Sequence, residues 1–201
     1  MDDGNKKGKD GEVREQVVTY EIYAEMPDDG KRYEIFDGKL ELMSPGPNIF
    51  HQAISGKLYL LVQSCISNYI VLYAPLDVIL SKTNVMQPDL VLVSKDRWEI
   101  VSKRGVEGAP DLAVEILSPG SRKRDRVRKH AVYEKHGVPE YWIVDPTART
   151  LEQFVLVDGR YRVGELFEEQ DRVASERFPC VSFAVDELFK GDVLERLASL
   201  S

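Results

Sequence analysis

Apolar and polar positions along the chain change period several times, and each change marks an element. In "KRYEIFDGKLELMSP" two short alternating runs flank Asp37-Gly38, a dipeptide suited to the positive φ of a type I′ turn, so this stretch predicts a β-hairpin. Just before it, "EVREQVVTYEIYAEM" reads as a short helical segment. From Pro47 the period lengthens: Phe50, Ile54, Leu58, Leu61 and Cys65 recur at helical spacing, predicting a helix that ends near Ile66 with one face buried on a sheet. Strands are expected at Val71 to Leu80, Asp89 to Val93 and Asp111 to Leu117. A polar helix from about Ser121 to His136 then starts after Ser118-Pro119-Gly120 and stops at Gly137, placed as its C-cap. "PEYWIVDP" predicts a further strand, "RTLEQFVLVDGRYRV" a hairpin around Asp158-Gly159, and "VDELF" a helical turn near the C-terminus.

Strands and helices interleave, yet hairpins are too frequent for a wholly parallel sheet, so the expected class is α/β of the mixed α+β kind, with a central mixed sheet. A length of 201 residues, 43% of them hydrophobic, suits one globular domain over residues 13–201, after a tail over residues 1–12 that is too polar to order itself. No stretch approaches the ~20 apolar residues of a membrane span. The opening residues lack the apolar core of a signal peptide, so no membrane partner is expected. A formal charge of −7 argues for a cytoplasmic protein and against a uniformly basic nucleic-acid coat. Cys65 and Cys180 are too few for a disulfide framework; Cys65, on the apolar face of its helix, reads as a buried free thiol in a reducing compartment.

The chemistry concentrates in "QPDLVLV" and "APDLAVEILSPG". Alternation along the second strand puts Asp111, Ala113, Glu115 and Leu117 on one face, and Leu112, Val114 and Ile116 on the other. A carboxylate among strand aliphatics is costly to desolvate, so Glu115 needs compensation. Asp111 is four residues away, about 13 Å at ~3.3 Å each, too far to share an ion with it. Asp89 lies on another strand and can stand beside Glu115, since neighbouring strands are only ~4.8 Å apart. Two adjacent carboxylates repel unless they share a proton or a cation, and a hard divalent ion such as Mg²⁺ offsets both repulsion and burial. Glu34, on the first strand of the early hairpin, is a third acidic candidate, and His51 can reach the same end of the sheet. Each also has a plainer role: Asp89 as a turn cap, Glu34 as an exposed hairpin residue, His51 as a hydrogen-bonder at a helix start. Between Arg122 and Lys129 six Lys or Arg face a single Asp, a local basic patch that serves either as a solvated helix face or as a seat for a phosphodiester backbone. Arg122, Arg126 and Lys129 fall on one α-helical stripe, with Asp125 and Tyr133 four residues to either side of Lys129.

"RYEIFDGKLELMSPGPNIFHQ", "QPDLVLVS", "PDLAVEILSPGSRKRDRVRKHAVYEKHGVPEYWIVDP" and the hairpin after them, roughly Val17 to Phe189, resemble the Uma-type endonuclease family of the PD-(D/E)XK superfamily. The resemblance implies a restriction-endonuclease-like fold, a central mixed sheet flanked by helices, and a site for Mg²⁺, with Mn²⁺ as a substitute. It makes Asp89 the motif aspartate, Glu115 the motif glutamate and the main-chain carbonyl of Ile116 a further metal ligand. Glu34 matches the family's early acidic position and Lys129 its helix lysine. The superfamily places a lysine two residues beyond the glutamate, and here that position is Leu117.

The implied reaction is Mg²⁺-dependent hydrolysis of DNA phosphodiester bonds. Asp89 and Glu115 would hold the ion, Lys129 would orient the nucleophile and stabilise charge, and Arg122 and Arg126 would position the backbone. DNA is the expected partner, with a second copy of the chain in a homodimer. Leu117 motivates a competing expectation, a nuclease fold that binds nucleic acid or protein without turnover. A third is a structural oligomer whose carboxylates only pair with the basic helix. No Ser or Cys triad and no cysteine-histidine zinc cluster is evident in the sequence.

Overall fold

A computed structural model describes residues 17–43 and 48–199; the expected tail over residues 1–12 lies outside the described residues, as does Pro47. The early hairpin forms as its turn dictates. Strands β1 (Tyr33–Phe36) and β2 (Lys39–Leu42) pair antiparallel across Asp37 and Gly38, whose φ angles of 46° and 80° are those of a type I′ turn. Ahead of it, α1 (Tyr20–Ala24) is a single short helix capped by Thr19. Helix α2 (Ile49–Leu61) begins at Asn48, whose side chain accepts from the His51 amide, and continues into a 3₁₀ turn, Gln63–Ser67. Ile54, Leu58 and Cys65 are fully buried and Phe50 and Leu61 pack beside them, so the helical stripe is the predicted one.

The strand expected from Val71 to Leu80 is two strands in different sheets: β3 (Tyr69–Tyr73) and β4 (Val78–Ser81). Between them lies Pro75, which has no N–H to give to a ladder. The remaining strands are β5 (Asn84–Met86), β6 (Leu90–Ser94), β7 (Val101–Ser102), β8 (Gly105–Val106), β9 (Leu112–Ile116), β10 (Glu140–Asp145), β11 (Thr150–Val157), β12 (Arg160–Phe167), β13 (Arg172–Ala174) and β14 (Ser182–Ala184). The polar helix between β9 and β10 is a π-helical turn, Arg124–Lys129, running into α3 (His130–Lys135). Gly137, at φ 76°, stands one residue past the cap His136, and the Val138 amide closes back on the Tyr133 carbonyl. The hairpin of β11 and β12 turns at Asp158-Gly159 as expected, and "VDELF" opens as a 3₁₀ turn, Val185–Leu188. A final helix, α4 (Asp192–Ala198), and the short strands β5, β7, β8, β13 and β14 carry no period long enough to read from the sequence.

The main sheet runs β12-β11-β10-β9-β6-β3 and is antiparallel except between β9 and β10, the two strands that flank the helical run. A parallel neighbour requires such a crossover. A second sheet, β2-β1-β5-β4-β8-β7, lies apart from it in pairing. Leu112, Val114 and Ile116 pack with Trp142, Ile54 and Leu58 on the α2 side. Ala113 and Leu117 pack with Tyr133, Tyr141, Phe36 and Met86 on the other side. The two faces of β9 are thus the ones alternation assigns. Among the described residues no helix is long and apolar enough to cross a membrane.

The cysteine reading is corrected. Cys65 and Cys180 form a disulfide, with Cα atoms 5.1 Å apart and a sequence separation of 115. The helical stripe buried Cys65 as expected, but its partner arrives on a segment packed over the same core. A pairing of that sequence separation leaves no local periodicity. The inference of a reducing compartment rested on a free thiol and loses its support.

Candidate active site

The site forms where strands end. In the antiparallel register of β6 and β9, Leu90 faces Val114, and one step further Asp89 comes beside Glu115. The Asp89 amide donates to the Val114 carbonyl at 3.1 Å. Its carboxylate then replaces the next rung of the ladder: Oδ2 accepts from the Ile116 amide at 2.7 Å. Asp89 is therefore pinned to the strand that carries Glu115. From the first turn of α2, His51 places Nε2 3.2 Å from Asp89 Oδ2 and 3.1 Å from the Ile116 carbonyl oxygen. Burial alone would lower the His51 pKa, but the Asp89 carboxylate and the Ile116 carbonyl outweigh it and hold it above its ordinary value. His51 Nδ1 is buried and has no hydrogen-bond partner among the described residues.

Behind these groups lies a buried charge cluster. Glu115 Oε1 accepts from Lys129 Nζ at 2.8 Å and from the Tyr133 hydroxyl at 2.9 Å. Glu34 is fully buried; its Oε1 accepts from the Gln87 amide at 2.8 Å and lies 2.8 Å from Lys129 Nζ, while Oε2 accepts from Arg124 at 3.3 Å. Asp125 Oδ1 stands 3.8 Å from the same ammonium. Burial works against the Lys129 charge, yet Glu115, Glu34 and Asp125 together outweigh it and hold its pKa above the usual lysine value. Glu115 is pushed well up, first by burial and then by Asp125, Asp89 and Glu34, with Lys129 pulling the other way. One lysine cannot neutralise so many carboxylates. Glu34, Asp89, Glu115 and Asp125 stand against Lys129 and Arg124, a formal excess of two negative charges when all four carboxylates are ionised and His51 is neutral.

The π turn explains how Arg124 and Lys129 reach one carboxylate. An α-helix of 3.6 residues per turn advances ~100° per residue, so positions five apart diverge by ~140°. The i→i+5 turn closes that divergence, and here the His130 amide reaches back to the Asp125 carbonyl while the Tyr141 hydroxyl donates to the same oxygen at 3.1 Å. Arg124 and Lys129 then meet the two oxygens of Glu34. Leu117, two residues beyond Glu115, is only 4% exposed and packs with Ala113 and Tyr133.

The expected stripe of Arg122, Arg126 and Lys129 does not form. Arg122 makes a two-pronged contact with Asp145 at 2.9 and 3.0 Å. Arg126 lies 2.6 Å from Glu152 and 3.7 Å from Asp145. The α-helical spacing behind the expected stripe fails at the π turn, and the carboxylates of β10 and β11 draw these two guanidiniums outward. Arg128 pairs with Glu41 on β2. Asp111, as expected, is no partner of Glu115: it binds Arg97 at 3.0 Å and the Ser94 amide at 2.7 Å. Sequence reasoning missed Arg124 as a residue of the site, and only knowledge of the π register could have found it.

Asp89, Glu115, His51, Lys129, Arg124 and Asp125 all line one cleft of about 590 Å³. Gln52, Ser55 and Tyr59 of α2 close one side, Arg32 and Gln87 another, and Tyr73 to Pro75 the end beside β3. Among the described residues no three His, Cys, Asp or Glu side chains stand in ion-holding positions, so an ion at the strand ends needs the Ile116 carbonyl with Asp89 and Glu115. The donor set fits a hard cation in kind: two carboxylates and a carbonyl at adjacent strand ends, with excess negative charge behind them. The hydrogen bonds to Glu115 both converge on Oε1.

The family model Uma2, described as "Putative restriction endonuclease", matches residues 20–186, a span that holds every residue of this cleft. Among solved structures the chain is similar to a protein from Anabaena variabilis ATCC 29413 described as a putative nuclease belonging to DUF820. The TM-score is 0.69 and the identity 21%, over 86% of this chain and 97% of that one. The type IIG restriction endonuclease BpuSI aligns with a TM-score of 0.38 and 16% identity over 79% of this chain and 17% of its own, too weakly to carry an argument. A search of curated proteins gave no match. The mixed sheet, the flanking helices and the matched span lead to one placement: the chain belongs to the Uma2 family and has a restriction-endonuclease-like fold.

Proposed function

We propose that the cleft is a metal-dependent nuclease site acting on DNA phosphodiester bonds. One observation carries the reading. Asp89 and Glu115 end adjacent strands, and Lys129 arrives from the crossover helix to stand 2.8 Å from Glu115, supplying the cation that Leu117 cannot. Asp89, Glu115 and the Ile116 carbonyl would hold Mg²⁺ or Mn²⁺, which when bound polarises a phosphate oxygen and lowers the pKa of a bound water. Lys129 remains charged next to Glu115, orients that carboxylate and offsets charge that develops nearby. Glu34 fixes Lys129 and Arg124 from behind. Arg124 and Arg32 line the cleft and take the backbone phosphates in this reading; Arg122 and Arg126 are turned instead to Asp145 and Glu152.

Titration calorimetry with Mg²⁺ and Mn²⁺, beside cleavage of supercoiled and linear DNA, tests it. Wild-type protein should bind the ion stoichiometrically and cut, while Asp89→Asn and Glu115→Gln should lose both. Undiminished cutting by Asp89→Asn, or cutting in EDTA, would rule it out. A second reading, nucleic-acid binding without turnover, draws on the same corner: Leu117 fills the usual lysine position, and Lys129 and Tyr133 already engage Glu115. Stoichiometric ion binding with no cleavage of any substrate would favour it.

A further inference from the structure

We infer that the cleft takes a nucleotide unstacked from its neighbours, in single-stranded DNA or at a frayed end, and that Tyr73 with Tyr59 forms the platform for its base. This rests on the nuclease reading and adds to it the form of the substrate.

The Tyr59 and Tyr73 rings meet edge to face, with centroids 4.8 Å apart and planes at 61°. Both line the cleft that holds Asp89 and Glu115, and Ala74 and Pro75 extend the same wall. Tyr73 is 56% exposed, although a large aromatic gains most by burial. Its position is fixed relative to the strand ends: β3 pairs with β6, with Tyr73 opposite Leu90, and the Ala74 amide donates to the Asp89 carbonyl at 3.0 Å. The platform and the motif aspartate are therefore consecutive in the sheet.

Size and charge point the same way. A volume of about 590 Å³ is in the range that encloses a small molecule, the scale of one unstacked nucleotide. A duplex is normally held over roughly 1,000 to 2,500 Å² of strongly positive surface. This chain carries a net charge of −7, and Arg122, Arg124, Arg126, Arg128 and Lys129 of the crossover helix are each engaged with a carboxylate. Arg32, Arg124 and Lys129 are the only Lys or Arg side chains among the described residues lining the cleft, so phosphate contacts there are few and base stacking has to supply affinity that such contacts supply elsewhere. Stacking on aromatic side chains is how sequence-tolerant single-strand sites do this.

Fluorescence anisotropy with a labelled twelve-nucleotide oligothymidylate, alone and annealed to its complement, tests the inference in Ca²⁺ and in EDTA. The single strand should bind at least about tenfold more tightly than the duplex. Tyr73→Ala should weaken single-strand binding by on the order of tenfold or more, the scale of one missing stacking partner, and leave the duplex value unchanged. Tyr73→Phe should keep wild-type affinity, which separates stacking from a role of the hydroxyl. Tyr59→Ala should cost less than Tyr73→Ala. Thermal melts confirm that each variant is folded. Equal affinity for strand and duplex, wild-type affinity in Tyr73→Ala, or no binding of the strand at all would each overturn the inference. Duplex cleavage by wild-type protein in Mg²⁺, with the binding contrasts absent, leaves the nuclease reading standing and this one fallen. Tyr73-dependent strand binding without cleavage in any metal does the reverse.

Discussion

The inner and outer sides of the crossover helix carry the same kinds of residue in very different surroundings. On the inner side Lys129 is 2% exposed and faces three carboxylates, and Arg124 shares one of them. On the outer side the Arg122 and Arg126 side chains are 46% and 34% exposed and lie on the rim of β10 and β11. Burial strengthens a charge pair and raises the cost of breaking it, whereas a half-exposed pair is screened by water and salt. A run of six cations in eight residues therefore holds two devices, a buried counter-ion for the cleft and an ordinary surface clamp. Their number says little; the π turn decides which is which.

The sharpest way to break this comparison is Lys129→Ala. Removing one partner of a buried pair leaves uncompensated carboxylates, so urea melts should show a loss of about 3–5 kcal/mol. Cleavage by whatever folded fraction remains should drop on the order of a hundredfold or more, the scale of one missing preorganised donor. A variant as stable as wild type would mean that the inner cluster is no deeper than the outer clamp. Tyr133→Phe comes next. It removes the hydroxyl that donates to Glu115 at 2.9 Å without changing the ring's packing, and a hydrogen bond to a charged group is worth about 1.5–3 kcal/mol. A destabilisation under about half a kcal/mol, well below that range, would show that Glu115 finds another donor.

Much of this contrast was legible beforehand, and the reasons differ by element. The hairpins turn on Asp37-Gly38 and Asp158-Gly159, where two residues fix the local geometry. The meeting of Asp89 and Glu115 follows from antiparallel register and strand spacing, both properties of the backbone. Family resemblance names Lys129 and brings it to Glu115, where it stands, but the stripe it was expected to share with Arg122 and Arg126 does not exist. Side-chain direction on a helix depends on residues per turn, and the Arg124–Lys129 stretch departs from the α-helical value assumed for the stripe. The Cys65–Cys180 bond and the split of Val71 to Leu80 failed for other reasons. The first joins segments far apart in the chain, and the second ran a strand through Pro75 because the apolar residues continue past it.

A DNA-binding contrast sharpens the comparison further. If backbone phosphates enter the cleft, charge removal at Arg32 and Arg124 should flatten the dependence of log affinity on log salt by about 0.7–0.9 for each phosphate that is no longer neutralised. The same removal at Arg122 and Arg126 should leave that slope unchanged, because both guanidiniums are directed to Asp145 and Glu152. A lower slope for the outer pair instead would move the phosphate track to the rim of β10.

The smallest effect is expected from the outer clamp itself, and pH reveals it. Burial pushes the Asp145 carboxyl up, but the Ala148 amide, the Arg122 guanidinium and the Thr147 amide outweigh it and hold the pKa below the usual carboxylate range. The unfolded chain, with an aspartate near ~3.9, then takes up this proton before the folded one does. Stability from Asp145 is thus fully present above that unfolded value and lost as pH falls through the lower folded value; above about pH 5 the group contributes no slope. Asp145→Asn should remove that acid-side slope from urea melts and leave the neutral-pH slope as it is. Arg122→Ala should remove only part of it, because the two amides remain, and should cost at most about 1 kcal/mol at pH 7, given that the guanidinium is nearly half exposed. A loss above about 3 kcal/mol in Arg122→Ala would put the outer clamp on the scale of a buried pair, and the inner and outer sides of the helix would no longer differ in kind.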